Sequence, residues 1–250
     1  SPSRGLGDVY KRQLLIYGGL PTQSELDAYK SKLKSLRDLP TELKLVLQNI
    51  PASAHPMDVM RTGTSMLGNL EPEGDFENQL DSINRMIATM ASIVTYWYKY
   101  SHEGVDISLV NDEDTLAGHF LHILHGKPPS ELHKKVMDTS LILYAEHEFN
   151  ASTFTARVCA STMSDIFSCV VAAIGSLRGP LHGGANEAAM DMIENWKTRD
   201  EAKSNILSML QNKEKIMGFG HAVYSEVDPR NAVIKELSLI HISEPTRRTT

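Results

Sequence analysis

Apolar residues recur along this chain at steps of three and four, the period of an amphipathic helix, over almost its whole length. Ser24 is a predicted N-cap for a helix that places Leu26, Tyr29, Leu33 and Leu36 on one face, until Pro40 breaks it. Thr41 is the predicted cap of a short helix carrying Leu43, Val46, Leu47 and Ile50; Pro51 ends it and Pro56 can open another. Gly63, Gly68, Pro72 and Gly74 predict a loop-rich region over about 62–75. A longer helix follows, with Leu80, Ile83, Ile87, Met90, Val94 and Trp97 as its inward stripe and an aromatic end at Tyr96, Trp97, Tyr98 and Tyr100. Residues 116–125 read as another helix stopped by Gly126, and Ser130 caps the next, which carries Leu132, Val136, Leu143 and Tyr144. Residues 151–177 are apolar and rich in small side chains, which suits close helix packing, and Gly179 with Pro180 stops them. Helices over 186–196 (Ala189, Met192, Ile193 and Trp196 inward) and 200–212 (Ala202, Ile206, Leu207, Leu210) come next, and Arg230 after Pro229 opens a last one. No hairpin signal, βαβ alternation or fixed-period repeat interrupts the pattern, so the expected fold class is all-α.

Composition supports a core and excludes some functions. The chain has 250 residues, 41% hydrophobic and 22% charged, which is an ordinary globular balance. A formal net charge of −6 and a pI near 5.9 argue against a dedicated nucleic-acid binder. The aromatic end of the long helix lacks the interleaved basic residues that single-strand binding needs. The longest clearly apolar run, 169–174, is far too short to span a bilayer, and no secretory signal is visible at the start. Cys159 and Cys169 fall inside apolar helical pattern and read as reduced core residues of a cytoplasmic protein. The opening SPSRGLGDVYKRQ has no sustained periodicity, and the closing SLIHISEPTRRTT ends the last helical pattern abruptly. Both resemble translated sequencing-adapter read-through, so 1–13 and 238–250 are expected to be non-native tails around a native 14–237.

Candidate chemistry gathers in glycine-rich junctions. In SLRGPLHGGANEAAMDMIENW, His182 sits among Gly179, Pro180, Gly183 and Gly184, just ahead of a helix. Glycines allow close approach of backbone and ligand, and a helix N-terminus offers unpaired N–H groups with partial positive charge. A histidine there tends to stay neutral and can donate a hydrogen bond to a developing oxyanion. The plainer alternative is a tight interhelical turn that His182 simply fills. His221 follows Gly218-Phe219-Gly220, which lacks the third glycine of a dinucleotide fingerprint and the Gly-Lys-Ser/Thr of a phosphate loop. Arg230 is suited to reading a carboxylate, and His147, between Glu146 and Glu148, belongs either to a solvated face or to a ligand site at a helix end. Two histidines can divide acid and base duties. His119, His122 and His125 raise a metal reading, but three-residue steps drift around a helix and no Glu completes HExxH. A structural role is preferred there, because a helix C-terminus favours imidazolium, and no metal is expected.

AEHEFNASTFTARV, GPLHGGANEAAM and IMGFGHAVYSEVDPR together resemble the citrate synthase family, and the likeness runs over nearly all of 14–237. LPTQSELDAYKSKLKSL, IPASAHPMDVMRTG, YWYKYSHEG and GHFLHILHGKPP resemble its bacterial 2-methylcitrate synthase branch in particular. The resemblance implies a two-domain all-α fold, with 14–181 in a large domain and 182–237 in an incomplete small one. It implies a homodimer, interfaced largely through the helices before Gly179, whose site closes on oxaloacetate. By the same resemblance His182 would hydrogen-bond the acyl-CoA thioester carbonyl and His221 would polarise and protonate the oxaloacetate carbonyl. His147 and Arg230 would bind oxaloacetate oxygens, and Lys215, Ile216, Met217, Gly218 and Phe219 would contact coenzyme A. The implied reaction condenses propionyl-CoA with oxaloacetate and hydrolyses the adduct to 2-methylcitrate, an acyl transfer with the coenzyme A thioester as substrate and no cofactor. The family's catalytic aspartate lies beyond GFGH; Asp228, in DPR, belongs more naturally to a turn or helix start, so the isolated chain is expected to be inactive. The alternatives are a citrate synthase using acetyl-CoA, a helical metal-binding or scaffold protein built on the three histidines, and a non-catalytic remnant.

Overall fold

The structure is a computed structural model that describes residues 7–146, 150–220 and 227–243, with side chains as far as 237. Among the described residues every regular element is helical. In order they are α1 (Asp8–Tyr17), α2 (Gln23–Ser35), α3 (Thr41–Gln48), α4 (Pro56–Leu70), a 3-10 turn (Phe76–Asn78), α5 (Gln79–Glu103) and α6 (Leu116–His125). There follow α7 (Glu131–Tyr144), α8 (Ala151–Ala160), α9 (Ile166–Leu177), α10 (Ala185–Glu194), α11 (Arg199–Gln211) and α12 (Arg230–Ser243). The chain is all-α. Its residues divide into two compact units, Ser1–Gly175 and Ser176–Thr250.

The first unit is built around α5, which meets α2, α3, α4 and α6. The helix starts and stops follow local chemistry. Thr22, not Ser24, caps α2: its hydroxyl accepts the Glu25 N–H while the Glu25 carboxylate takes the Thr22 N–H at 2.7 Å, a reciprocal box. Thr41 is the first residue of α3 rather than its cap, because Pro40 supplies the preceding extended backbone. Ser130 caps α7 by accepting the His133 N–H, and Gly126 ends α6 in the left-handed region at φ 68°.

Two expectations fail inside this unit, for one reason. The region 62–75 is not loop-rich, since α4 runs through Gly63 and Gly68 to Leu70. A Cβ on Gly63 would run into Ile93 of α5, and one on Gly68 would lie 2.8 Å from Phe167 Cβ of α9. These glycines mark close helix contact, where removing the side chain is worth more than its cost in helix propensity. The buried face of α5 is also rotated from the expected stripe. Leu80 is exposed and Ile83, Ile87, Met90 and Val94 are half-buried, whereas Ser82, Asn84, Met86, Thr89, Ser92, Ile93, Tyr96 and Trp97 are buried. A helix covered by neighbours on several sides buries small polar residues when they find partners. Asn84 accepts the Tyr29 hydroxyl at 2.8 Å, Ser92 donates to the Arg37 carbonyl at 2.7 Å, and Thr89 donates to the Arg85 carbonyl at 2.8 Å. The aromatic end of α5 is core, as expected: Trp97 Nε1 donates to the Ile50 carbonyl and the Tyr96 hydroxyl accepts from Gln48.

The stretch 151–177 forms two helices, α8 stopping at Ala160 and α9 starting at Ile166. α1 includes residues 8–13, with Asp8 and Val9 buried, and Asp8 N–H donates to Asp138 of α7 at 3.0 Å. α12 likewise runs to Ser243. In the second unit no residue of α10 or α11 is buried, and Met190, Ile193, Leu207 and Leu210 are more than half or about half exposed. Among the described residues no helix is long and apolar enough to cross a membrane.

Candidate active site

The turn that carries His182 connects α9 to α10. The Gly179 carbonyl accepts two N–H groups, from His182 at 3.0 Å and from Gly184 at 3.1 Å. The chain then winds directly into α10, with Ala185 N–H on the His182 carbonyl at 3.1 Å and Ala188 N–H on the Gly184 carbonyl at 3.2 Å. Gly183 and Gly184 are required by space. A Cβ on Gly183 would stand 2.6 Å from the Leu177 carbonyl oxygen, and one on Gly184 would stand 2.8 Å from that of Arg178. Those obstacles are backbone and cannot swing away. Gly184 has ordinary helical φ and makes no side-chain cap, so the first turn of α10 keeps its N–H groups without one. The turn is therefore tight, as the plainer alternative held, yet His182 is not buried filler: it is half-buried, two residues before the helix N-cap.

The 215–220 segment approaches the same helix. Phe219 N–H donates to the Ile216 carbonyl at 3.3 Å, and Gly218 and Gly220 adopt φ of 87° and 86°, which a side chain would oppose. A Cβ on Gly218 would touch Ala189 of α10 at 3.4 Å, so the loop lies against the helix that His182 introduces. Phe219 is 71% exposed, Lys215 is exposed, and Ile216 and Met217 are half-buried. Sequence reasoning gave Ala189 only an inward position; its small size next to Gly218 is what admits the loop, and the paired alanines of NEAAM were the available signal.

Arg230 opens α12 and is held by Asp228. Its Nε lies 2.9 and 3.1 Å from the two Asp228 oxygens and its Nη2 lies 2.5 Å from Oδ2, while Asp228 Oδ1 also accepts the Arg230 N–H at 2.9 Å. Asp228 thus sits at a helix start. Any substrate carboxylate read by Arg230 would share that guanidinium with Asp228 or displace it. His147 and His221 lie outside the described residues.

The three histidines of α6 do not converge. His119 is fully buried, with Nδ1 2.9 Å from Asn111 Nδ2 and Nε2 3.2 Å from Ser92 Oγ. The Asn111 amide donates to Nδ1 and the Ser92 hydroxyl is already committed to the Arg37 carbonyl, so Nε2 carries the proton of a neutral ring. Burial, then the nearby Arg37 and His122, push its pKa down to about 3. The expected imidazolium is thus wrong for His119: desolvation outweighs the helix dipole. His122 faces Glu113 at 3.7 Å and His125 is exposed. Among the described residues no group of three or more His, Cys, Asp or Glu could hold a metal.

The His119 shift has a measurable consequence. The ring protonates in the unfolded chain near 6.5 but in the folded chain only near 3, so the unfolded state binds more protons between those values. Stability is complete above about pH 6.5 and is expected to fall on acidification, by up to about 1.4 kcal/mol per pH unit from this group. Urea unfolding across that range should show the slope, and His119→Gln, which keeps an acceptor for Asn111, should flatten it.

The fold is that of the all-α citrate synthases. Superposition on the citrate synthase of the archaeon Thermoplasma acidophilum, solved as a ternary complex with carboxymethyl coenzyme A and oxaloacetate, gives a TM-score of 0.89 at 28% identity over 98% of this chain and 65% of that one. The family model described as citrate synthase, C-terminal domain, matches residues 10–249, and the chain belongs to the citrate synthase family. The 2-methylcitrate synthase of Shewanella oneidensis is 64% identical over 225 residues, 90% of this chain and 60% of that protein. The citrate synthase of Deinococcus radiodurans is 42% identical over 225 residues, 89% of this chain and 59% of its own length. The chain thus spans about 60% of the length of these relatives.

Proposed function

We propose that this sequence is part of a 2-methylcitrate synthase, which condenses propionyl-CoA with oxaloacetate and hydrolyses the adduct to 2-methylcitrate and coenzyme A. The observation that carries the proposal is the second unit's own geometry: the His182 turn and the Gly218 loop meet one helix, α10, and both are glycine-shaped for close approach. The 64% identity to a 2-methylcitrate synthase supports the choice within the family. In this reading His182 donates to the thioester carbonyl as the α-proton leaves, stabilising the enol oxygen where negative charge develops. His221 donates to the ketone oxygen of oxaloacetate as the new carbon–carbon bond forms, and His147 and Arg230 hold oxaloacetate's oxygens. The main chain of 215–219 contacts coenzyme A, which enters and leaves as substrate and product. The α-proton needs a carboxylate base, and the family resemblance implies an aspartate beyond the GFGH motif for it. Residues 14–181 and 182–237 would belong to the large and small domains of a cytoplasmic homodimer.

The test joins this sequence in frame to the C-terminal remainder of the Shewanella relative and follows coenzyme A release. Release from propionyl-CoA and oxaloacetate at a kcat/KM above that with acetyl-CoA is expected. One methylene in an apolar pocket supports a preference of about 10–200-fold. The reverse preference would favour a citrate synthase, the reading to which the Deinococcus relative lends weight. No release with either thioester would overturn both.

A further inference from the structure

A cleft of about 670 Å³ lies inside the first unit, between the segment joining α2 to α3, the segment joining α4 to α5, the first turns of α5 and the start of α9. None of its lining residues belongs to the His182 turn or the 215–220 loop. Leu36, Leu39, Pro40 and Phe167 give it apolar surface. Asp38, Glu71, Glu73 and Asp81 line it with carboxylates, and Arg85 is the cation among the lining residues.

Three of these carboxylates are already matched. Arg85 is committed to Glu71, with Nε and Nη2 each 2.7 Å from a carboxylate oxygen, while its Nη1 donates to the Leu36 and Asp38 carbonyls. Lys44 meets Asp38 at 2.9 Å and Lys32 meets Asp81 at 2.7 Å. Both pairs are at the solvent edge, where the Asp38 and Asp81 side chains are 57% and 76% exposed.

Glu73 differs. It is 6% exposed, and no described Lys, Arg or His pairs with it. A buried charge is costly unless paired. Its Oε2 accepts the Ile166 N–H at the start of α9 at 2.5 Å, and the Asn78 amide holds its main-chain carbonyl at 3.2 Å. The α9 N-terminus offsets part of the charge. Oε1 takes no hydrogen bond from any described residue. Ser82 of α5 is 9% exposed, and its hydroxyl also has no partner among the described residues. Neither oxygen is sealed inside the protein, and both residues line the cleft.

These two oxygens suit a cation that donates hydrogen bonds. Among the described residues no three potential ligands converge to hold a metal ion. The negative charge is instead distributed, from buried Glu73 to exposed Asp38 and Asp81, in a cleft that also offers apolar surface. We propose that the cleft binds a linear aliphatic diamine. One ammonium group, a compact charge with three donors, serves Glu73 Oε1 and Ser82 Oγ together. The methylenes lie against Leu36, Leu39, Pro40 and Phe167. The second ammonium meets Asp38 and Asp81 in place of Lys44 and Lys32, whose surface ion pairs contribute little. The bound diamine would fasten the α2–α3 segment to α5 and to the start of α9. The site uses no residue of the proposed reaction, so the two readings stand or fall separately.

The experiment titrates the 250-residue chain with 1,4-diaminobutane by calorimetry at fixed ionic strength, with butylamine and Mg²⁺ as comparisons. A single saturable site per chain is expected. Butylamine should bind about 10-fold more weakly, because it leaves the edge carboxylates unmet. Glu73→Gln keeps an oxygen for the Ile166 N–H and should weaken the diamine about 10-fold, while Ser82→Ala should weaken it about 3-fold. Saturating diamine should raise the melting temperature of the parent chain more than that of Glu73→Gln. Mg²⁺ at the same concentration should leave the diamine bound. Unchanged affinity in Glu73→Gln or Ser82→Ala, equal affinity for butylamine, displacement by Mg²⁺, or no saturable binding would each overturn the proposal.

Discussion

His182→Ala, made in the enzyme completed with the relative's C-terminal remainder, is expected to lower kcat by about 100- to 1,000-fold, the usual loss for removing one donor aimed at a developing oxyanion. The argument starts from the turn. Gly179 fixes the His182 and Gly184 N–H groups on one carbonyl, and the two following glycines let the chain enter α10 without clashing with Leu177 and Arg178. His182 is thereby placed by the backbone two residues ahead of the N-cap of α10. In the proposed role the interaction would strengthen only as the enol forms, so the loss should fall on kcat while KM for oxaloacetate changes little. Because His182 is half-buried, the melting temperature should stay close to that of the parent. Unchanged kcat in His182→Ala would remove the residue from the chemistry. A collapse of melting temperature together with activity would return it to the role of turn filler.

How much of this could be read from residues alone depends on what each residue answers to. Caps answer to neighbours three or four positions away, so Ser130 and Gly126 are legible, whereas Thr22 and Ser24 each have an acidic residue three positions on and the pattern alone does not choose between them. Gly63 and Gly68 answer to Ile93 and Phe167, distant in sequence, and a glycine that admits a neighbouring helix has the same letter as one that makes a loop. The face of α5 was misjudged because Ser82, Asn84, Thr89 and Ser92 are buried by partners that no periodicity contains. The break at 161–165 was hidden for a similar reason: Met163 carries its left-handed φ without the glycine that usually signals one. The His182 turn was legible because its glycines are contiguous, so the steric demand is written in one stretch. The Gly218 approach to Ala189 was not, since it joins positions 29 residues apart. Arg37 had no sequence signal at all.

Arg37→Met is expected to destabilise the first unit by about 3 kcal/mol, the cost of leaving two or so buried carbonyls without donors after partial relief of the buried charge. Arg37 is 1% exposed. It donates to the Glu113 carbonyl at 2.6 Å, to the Thr115 carbonyl at 3.3 Å and to Asn111 Oδ1 at 3.5 Å, gathering the loop that starts α6. Burial lowers its pKa to about 10, so it remains charged at neutral pH. Swapping a buried ion pair for apolar residues is often neutral because both charges leave together. Here methionine keeps much of the volume but the acceptors are main-chain oxygens that stay, so the exchange is one-sided. The measurement is the urea midpoint, with the m-value unchanged if the native state keeps its compactness. A second readout separates this account from simple loss of packing. The Arg37 charge is one of the causes holding His119 down near 3, so removing it should raise the His119 pKa and shorten the acid window over which stability falls. An unchanged His119 titration by NMR in a destabilised Arg37→Met would mean that packing alone was lost. A raised His119 pKa with the expected drop in midpoint would show one buried cation both joining the α6 loop to the core and keeping its histidine neutral.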